Sequence, residues 1–482
     1  MNNCLSVIRR KIVFILLITI IGQASAQVPV RLYSLKECIE TALNNNINLR
    51  QRELNLQTGK ADAFQSKMAL LPSVNGSVTN NYNTGFAINP ITNTTQRDVT
   101  FRSNNFSLNG SMVLFNGFQT TNNARLQEAN VKASELDVVT AKNNLSLQVA
   151  NAFMNVLLNT EILQARILQA GATAEQVKRQ QQMYELGSLN KVRYLQIKAQ
   201  LANEESQLVI ARTQLDQSYL TLWQLMNIAP DTLNKIQAPP LTMNQVSGEI
   251  KTAEEIYRDF LARSPEVQAA KARKQSAHIS YLMALGSRSP RLVMSGGFNS
   301  FFTTQATRGV GAGNPQLRQI GIDSFGVPVY SPFLQFSETE VVPFNEQFDR
   351  NLGKSLGFTL SIPIFNGWQV NTNIQRQRIN QMSAGLTMTQ TELDVYRNVN
   401  QAYLDFQSAI KRYDASLIGY DANKEAYLLA QQQFELGALN TADFLNTKNQ
   451  YLQAETTLLQ AKYELMFRRK VLDFYLGKSL IE

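Results

Sequence analysis

Hydrophobic and polar residues alternate along four short segments of the chain. In the clearest of them, the apolar or small positions are Phe106, Leu108, Gly110, Met112 and Leu114. A period of two predicts β-strands with one apolar and one polar face, at about 72–82, 104–115, 290–301 and 354–365. Such alternation over about 10 residues is typical of a tilted membrane-spanning strand. A half-buried strand in a soluble sandwich has the same pattern.

The segments between the paired strands favour the membrane interpretation. They lie at 83–100 and at about 303–351, and they are rich in Asn, Thr, Gly and Pro. Long polar loops at one end of a strand pair are how membrane-spanning barrels face the exterior. The second of them is predicted to be a long extracellular loop.

Two long segments without proline, 118–185 and 368–435, show a helical pattern instead. Apolar residues recur at spacings of three or four, as at Leu145, Val149 and Val156, which predicts helices that bury one seam. At 1.5 Å per residue each helix is roughly 100 Å long. Shorter helices are predicted at about 35–70, 189–227, 253–289 and 439–477, stacked in pairs antiparallel to a long helix. A plain coiled-coil rod has the same pattern, but strands at the helix ends disfavour it.

The chain is an internal duplication. The segments 184–190 and 434–440 read YELGSLN and FELGALN, and 114–117 and 364–367 read LFNG and IFNG, both pairs 250 positions apart. Upstream the offset is 218, so the second copy carries 32 extra residues between the strands. We therefore predict a first repeat at 27–230, a linker at 231–252 and a second repeat at 253–482.

The N-terminus has the pattern of a secretory signal at 1–26. A basic cluster at 9–11 precedes an apolar run at 12–21 and an Ala-Ser-Ala cleavage site at 24–26. Cys4 precedes the apolar run, so we do not expect a lipoprotein. Cleavage would leave Cys38 as the one cysteine, which predicts that no internal disulfide forms. We find no further apolar stretch long enough for a transmembrane helix.

Composition argues against several kinds of chemistry. His278 is the one histidine, so zinc sites built from His and Cys and a Ser-His-Asp triad are not expected. The glycines at 309–313 are not followed by Lys-Ser/Thr and predict a flexible loop, not a phosphate-binding loop. The formal charge of +9, or +6 without the signal, comes with no basic run that interleaves aromatic residues. We predict no enzyme, cofactor, metal site or nucleic-acid partner.

Four strands cannot close a barrel by themselves. An open sheet edge in a bilayer leaves backbone groups without hydrogen bonds, so the edges must meet other copies of the chain. Two copies would supply eight strands and three copies 12. Because a barrel of about eight strands is filled by side chains, we favour the trimer.

The duplicated order of elements, the Phe-Asn-Gly after each strand pair and the Tyr/Phe-x-x-Gly at each helical turn resemble the TolC family of outer membrane efflux proteins. The resemblance covers essentially the whole mature chain. It implies a mainly α fold with a β-barrel portion, in which a trimeric 12-stranded outer-membrane barrel continues into a periplasmic α-helical barrel. It also implies a periplasmic adaptor, an inner-membrane transporter and outer-membrane lipid as partners.

The resemblance places Tyr184, Gly187, Phe434 and Gly437 at the periplasmic tip, where the adaptor binds. Independently of it, Gly187 and Gly437 are expected to end the long helices, because glycine readily adopts the left-handed cap conformation. Both glycines could be helix caps and nothing more.

Asp443 falls where the family places acidic residues around the periplasmic entrance. Three copies would raise the local cation concentration. Its counterpart in the first repeat is Arg193, and we expect that the two could pair and hold the helices closed. A solvated helix face is the alternative for both residues.

These features together predict a passive outer-membrane exit duct of a tripartite efflux or type I secretion system. The exported substrate and the partner pump are not distinguished by the sequence. A surface-exposed structural or adhesive coiled-coil protein with a β head is the alternative.

Overall fold

A computed structural model describes residues 32–88, 95–230, 235–237, 251–336 and 338–478. The predicted signal peptide 1–26 and most of the predicted linker 231–252 lie outside the described residues. The described chain forms two compact units. One comprises the described parts of Met1–Asn55, Glu135–Gln268 and Thr389–Glu482, and the other comprises those of Leu56–Ser134 and Ala269–Met388.

In the order of the chain, the first half contains the elements β1 (Leu32–Tyr33), α1 (Leu35–Asn45), α2 (Ile47–Met68), β2 (Ser73–Ile88), β3 (Thr95–Phe115), α3 (Gln119–Glu185), α4 (Lys191–Met226) and β4 (Lys235–Ile236). The second half contains α5 (Ala253–Arg263), α6 (Pro265–Gly286), β5 (Arg291–Thr303), β6 (Thr307–Val310), β7 (Asn314–Ile322), β8 (Pro328–Gln335), β9 (Glu338–Val341), α7 (Phe344–Arg350), β10 (Gly353–Ser361), α8 (Gln369–Glu435) and α9 (Thr441–Leu476).

Each of the shorter helices predicted before a strand pair is divided in two. The break after α1 falls at Asn46, whose side chain caps the backbone N–H of Leu49 at 3.1 Å. The break after α5 falls at Ser264, directly before Pro265. Proline disfavours the helical conformation of the residue before it, so a boundary follows there from the chemistry of the chain.

The unit made of the first, middle and last segments is helical and has an apolar core. One buried cluster joins α5, α6, α8 and α9 through Ile256, Phe260, Val267, Val395, Val399, Phe406, Ala409, Leu465 and Leu472. In the same unit, β1 and β4 form a short parallel pair. All positions of the buried cluster lie in the second sequence repeat, whereas a smaller cluster of Ile197 with Ala430, Phe434 and Phe444 joins the first repeat to the second.

The other unit contains an antiparallel sheet of four strands in the order β10-β5-β3-β2. Its central contact, β3 with β5, joins the two repeats and runs from Ser103 opposite Thr303 to Phe115 opposite Leu292. Among the described strands, β2 and β10 each have a neighbour on one side only.

The first strand pair is longer than the sequence predicted. The polar segment 83–100 was predicted as a loop, but pairing continues through it to Ile88 opposite Thr95. Polar side chains do not prevent a backbone ladder, and here they add to it: Thr84 Oγ1 and Thr100 Oγ1 lie 2.9 Å apart.

The fourth strand is shorter than predicted. β10 ends at Ser361 instead of near 365. Pro363 stands where the first repeat has Val113, and proline has no N–H to contribute to a ladder. The strand therefore stops before it.

The segment 303–351, predicted as a long loop, contains four strands and a helix. β6 pairs with β9, and β7 pairs with β8. Gly309 lies within β6 opposite Thr339, which corrects the prediction of a flexible loop for the first part of 309–313. We call the segment from β6 to α7 the insertion, because it contains the residues that the first repeat lacks.

Candidate functional site at the helical turns

The two helical turns share one backbone design. At the first, Gly187 has φ +75° and its N–H donates to Tyr184 O at 2.9 Å, while Ser188 N donates to Met183 O at 2.9 Å. At the second, Gly437 has φ +76°, and the N–H groups of Gly437 and Ala438 donate to the last turn of α8 in the same way. This is the Schellman arrangement, which satisfies the final carbonyls of each long helix.

The next helix after each turn begins with a side-chain cap. Asn190 Oδ1 accepts from Val192 N at 2.8 Å at the start of α4. Asn440 Oδ1 accepts from Asp443 N at 2.9 Å at the start of α9, and Asn440 Nδ2 donates to Asp443 Oδ2 at 2.5 Å. The Asp443 carboxylate is thus held at the helix N-terminus, where a negative charge is favoured by the helix dipole.

The predicted tip aromatics each stack on a partner in the following helix. Tyr184 stacks on Tyr194 with ring centroids 5.7 Å apart and planes at 5°. Phe434 stacks on Phe444 at 4.4 Å and 10°. The two stacks are related by the repeat offset, but the second is buried in a cluster with Ile197 and Ala430, whereas Tyr184 is 36% exposed.

Arg193 joins the two repeats at this level. Its guanidinium carbon lies 4.2 Å from the centre of the Phe434 ring, and Nη2 donates to Phe434 O at 3.1 Å. The carbonyl belongs to the last turn of α8, where a cation is favoured. Within the described chain, Arg193 therefore pairs with the aromatic end of α8 and forms no ion pair with Asp443, so the expected pair is not present inside one protomer.

An open groove of about 580 Å³ lies beside these contacts. It is bounded by Asn190, Val192, Arg193 and Gln196 on α4 and by the segment from Gly437 to Ala442 at the second turn. The groove places three of the predicted residues near one another, namely Gly437, Arg193 and, one position beyond its edge, Asp443. Tyr184 and Gly187 belong to the first turn.

A buried polar cluster that the sequence did not predict lies further along the same helices. Lys448 Nζ is 2.7 Å from Glu204 Oε1, and Thr173 Oγ1 lies 2.6 Å from the same Nζ. Thr173 donates to Glu204 Oε2 at 2.5 Å and Gln200 donates to Glu204 Oε1 at 2.8 Å. Burial lowers the pKa of Lys448, and the nearby Glu204 charge acts in the opposite direction.

No single segment of the sequence signals this cluster. The counterparts of Lys448 and Glu204 in the other repeat are Lys198 and Ala454, so the repeat comparison gives no paired charge to look for. Three helices, α3, α4 and α9, supply the partners. Only their packing reveals that an otherwise ordinary lysine is buried.

Two other features, namely a metal site and a membrane-spanning helix, are absent from the described residues. His278 Nδ1 lies 3.1 Å from the amide nitrogen of Gln381 at the surface, and among the described residues no group of His, Cys, Asp or Glu could hold a metal ion. None of the described helices combines the length and the apolar character needed to cross a membrane.

The fold is a duplicated arrangement of long helices and paired strands, with the strands in one four-stranded sheet. A family model described as "Outer membrane efflux protein" matches residues 38–227 and 256–478, and the chain belongs to this family. Both matched ranges fall on the two sequence repeats.

Comparisons with individual proteins agree with this family assignment. The chain is 22% identical over 434 residues to the outer membrane efflux protein BepC of Brucella suis biovar 1 (strain 1330), covering 88% of this chain and 81% of BepC. The structure of CusC superposes with a TM-score of 0.74 at 17% identity, covering 95% of this chain and 96% of CusC. The CmeC outer membrane channel of Campylobacter jejuni gives 0.74 at 16% identity, covering 92% and 85%.

These comparisons confirm the fold class, the family and the outer-membrane location that the sequence predicted. The family consists of channel proteins and not of enzymes. The family model and BepC are both described as outer membrane efflux proteins, and CmeC is described as an outer membrane channel, which favours the duct over the adhesive alternative.

Proposed function

We propose that the chain is the passive outer-membrane exit duct of a tripartite efflux or type I secretion system. It works as a homotrimer with a periplasmic adaptor and an inner-membrane transporter. It makes and breaks no bonds: solutes move through a continuous water-filled path, and the transporter supplies the energy. We further propose that the signal peptide 1–26 is removed and that the helices lie in the periplasm.

The observation that carries the proposal is the two-faced sheet. One face exposes the large apolar side chains of Val74, Val78, Leu356, Phe358 and Leu360. The other carries a row of hydroxyl pairs, with Ser77 Oγ and Ser107 Oγ 2.7 Å apart and Ser73 Oγ and Ser111 Oγ 3.1 Å apart. Lipid would cover the first face and water the second, as in an outer-membrane barrel.

The open edges of the sheet supply the reason for a trimer. In a bilayer, each backbone group without a hydrogen bond costs several kcal/mol. If β10 of one copy pairs with β2 of the next, no edge remains. Three copies give 12 strands, enough to leave a lumen, whereas a barrel of about eight strands is filled by its own side chains.

The helical turns are the surface that we assign to the adaptor. Tyr184, Gly187 and Gly437 are exposed at the two turns, whereas Phe434 is buried and would support the second turn from inside. The exposed groove beside the second turn offers a place for an adaptor segment. Leu186 and Leu436, directly before the glycines, each expose 84% of their surface. Apolar side chains presented so fully at both turns support a protein contact there.

Arg193 and Asp443 are the residues that we assign to gating and to the charge of the entrance. The Arg193 contact with Phe434 joins α4 to α8 next to the turns, so separating these helices must break it. Asp443 is exposed and would form a ring of three carboxylates in a trimer. Adaptor binding would open the duct by favouring a state in which the helices are splayed.

The mass of the detergent-extracted protein tests the proposal most directly. Light scattering, corrected for bound detergent, is expected to give three chains per particle. The same preparation should form conducting channels in planar bilayers. A stable monomer in detergent would leave four strands with open edges, and the duct would then be excluded.

A further inference from the structure

The hairpin formed by β7 and β8 has an apolar face that no described residue of its own chain covers. The residues opposite one another on this face are Pro315 with Leu334, Leu317 with Pro332 and Ile322 with Pro328. The same face also carries Gln319 opposite Tyr330, and the other face carries Gln316, Arg318 and Ser331 together with Phe333 and Val329. Leu317 is 70% exposed and Ile322 65%, and Phe325 at the tip is 89% exposed.

The apolar face of the hairpin requires a contact with something other than the described residues of its own chain. Within the part of the chain that the structure describes, β7 and β8 form a sheet of two strands and pair with no other strand. A two-stranded hairpin by itself is marginally stable in water. A contiguous exposed apolar face of this kind marks a site of interaction with a protein or a membrane.

The base of the insertion, α7, lies against the four-stranded sheet. The Phe106 ring lies 5.6 Å from Phe344 and 5.5 Å from Phe348 in α7. Phe106 stands opposite Val78 on β2, so α7 rests on the apolar face of the four-stranded sheet. Phe302, on the same face of β5, lies 5.7 Å from Phe344.

Hydrogen bonds fix α7 in this position. The buried Gln347 side chain accepts from Thr303 N at 3.0 Å and donates to Thr303 O at 3.0 Å. Asn351 Nδ2 donates to Phe301 O at 2.8 Å. These bonds satisfy backbone N–H and C=O groups of β5 where it extends beyond its neighbour β10. The base of the insertion is therefore bound to both the edge and the apolar face of the sheet.

An apolar groove continues this surface. It has a volume of about 220 Å³ and lies between α7 and the strands, bounded by Val78, Phe106, Leu108, Phe298, Phe348 and Leu352. Aromatic and aliphatic side chains at the end of a membrane-spanning strand are typical of the level where acyl chains meet headgroups. The apolar face of the sheet and the base of the insertion thus form one surface.

We propose that the insertion is a lipid-binding element, in which the apolar face of the β7–β8 hairpin lies against the acyl chains of the outer leaflet beside the barrel. The proposal rests on the proposed function, because the apolar face of the sheet is lipid-facing only in the membrane-spanning duct. The hairpin belongs to the same insertion as α7, which lies on that face. The lipid that contacts the apolar face of the sheet is therefore the partner that we assign to the apolar face of the hairpin. Arg318 and the rest of the second face, which is the more polar of the two, then point to the headgroups and water.

Fluorophores attached to single cysteines test this contact. Leu317→Cys, Phe325→Cys and Ser331→Cys are each made in a Cys38→Ala background of the full chain, labelled with an environment-sensitive dye, and reconstituted into phosphatidylcholine vesicles. Brominated acyl chains quench a dye that touches them. We expect loss of fluorescence at 317 and 325 when brominated lipid replaces ordinary lipid, and a much smaller loss at 331.

Two further positions separate this proposal from the proposed function. Leu356→Cys, on the apolar face of β10, should be quenched if the sheet spans the membrane. Leu436→Cys, about as exposed as position 325 but in a helical turn, should not be quenched. Quenching at 356 without quenching at 317 and 325 would leave the duct intact and overturn the lipid contact. A dye at 317 with blue-shifted emission that is not quenched would show that a protein, such as a second copy of the chain, contacts this position. That result would also overturn the lipid contact.

Discussion

Lys448 Nζ lies 2.7 Å from Glu204 Oε1, and the two side chains are only 2% and 7% exposed. The pair joins α9 of the second repeat to α4 of the first. Thr173 on α3 and Gln200 on α4 complete the hydrogen bonding. Such a pair is costly to bury, and the surrounding hydrogen bonds offset that cost only while both partners are present.

Removal of one partner should therefore destabilise the helical unit strongly. Lys448→Met leaves the Glu204 carboxylate buried without its cation, which costs about 3–5 kcal/mol in comparable cases. We expect a large fall in the thermal midpoint of the helical circular dichroism signal. Glu204→Leu combined with Lys448→Met should restore most of the loss, because both charges are then absent.

Lys198→Met is the matched control for that prediction. Lys198 is the repeat counterpart of Lys448, but it is exposed. Its substitution should change the free energy of unfolding by no more than about 0.5 kcal/mol. Equal effects at 198 and 448 would mean that the buried pair contributes no more than any surface lysine.

The contrast between these two lysines shows what the sequence could predict. Periodicity and repetition predicted the long helices, the four sheet strands and the turn glycines, because each depends on local pattern. The environment of Lys448 depends on three helices from both repeats, and no local pattern encodes it. The same holds for 303–351, whose polar composition predicted a loop although alternate residues on β7 and β8 form an apolar face.

The conformation of the two helical turns was predicted, but the contacts made there were not. Gly187 and Gly437 adopt the left-handed conformation expected of helix caps. The partner of Arg193 was not predicted, because the repeat comparison aligned it with Asp443 and suggested a charge pair. An aromatic ring and a helix C-terminus can replace a carboxylate as partners of arginine, and sequence comparison does not show which is near.

Loss of the Arg193 contact should favour opening. Arg193→Ala removes the hydrogen bond to Phe434 O and a cation–π contact of roughly 1–2 kcal/mol. We expect a higher mean single-channel conductance in planar bilayers. Arg193→Lys keeps the charge but loses the planar stacking, and it should give an intermediate value. Conductance of Arg193→Ala equal to that of the unmodified protein would show that this contact does not hold the duct closed.

Substitution of Asp443 should change the ion selectivity of the channel, whereas substitution of Arg193 should change its conductance. Its carboxylate is exposed and accepts from Asn440 within one turn of the helix, so Asp443→Ala leaves the Arg193 contact intact. Removal of three carboxylates at the entrance should lower the preference for cations over anions, measured as a shift of the reversal potential in a salt gradient. A rise in conductance with unchanged selectivity would instead indicate that Asp443 is part of a latch between protomers.

Cys38 should be inert in the folded protein. Its thiol is fully buried, and burial, with a smaller effect of Glu37, raises its pKa to about 12. The thiolate is the reactive form, and it is scarcely populated at pH 8. A maleimide should label the protein only after denaturation, and rapid labelling of the native trimer would show that the unit around α1 opens readily.

Gly117 and Gly367 form a matched pair that tests how tightly the strand ends are packed. They occupy the same place in the two Phe-Asn-Gly motifs and have φ of +66° and +60°. A side chain at either position meets the strain of the left-handed conformation, about 1–2 kcal/mol. A Cβ on Gly117 would also lie 2.2 Å from Gly286 O, whereas one on Gly367 would meet no atom within 4 Å.

Gly117→Ala should therefore be much more damaging than Gly367→Ala. The clash is with backbone and cannot be relieved by rotating a side chain, so overpacking adds about 1–3 kcal/mol to the strain. The thermal midpoint of unfolding of the detergent-extracted protein would measure both effects. Similar losses for the two variants would mean that backbone strain alone limits these positions and that the approach of Gly117 to Gly286 can relax at little cost.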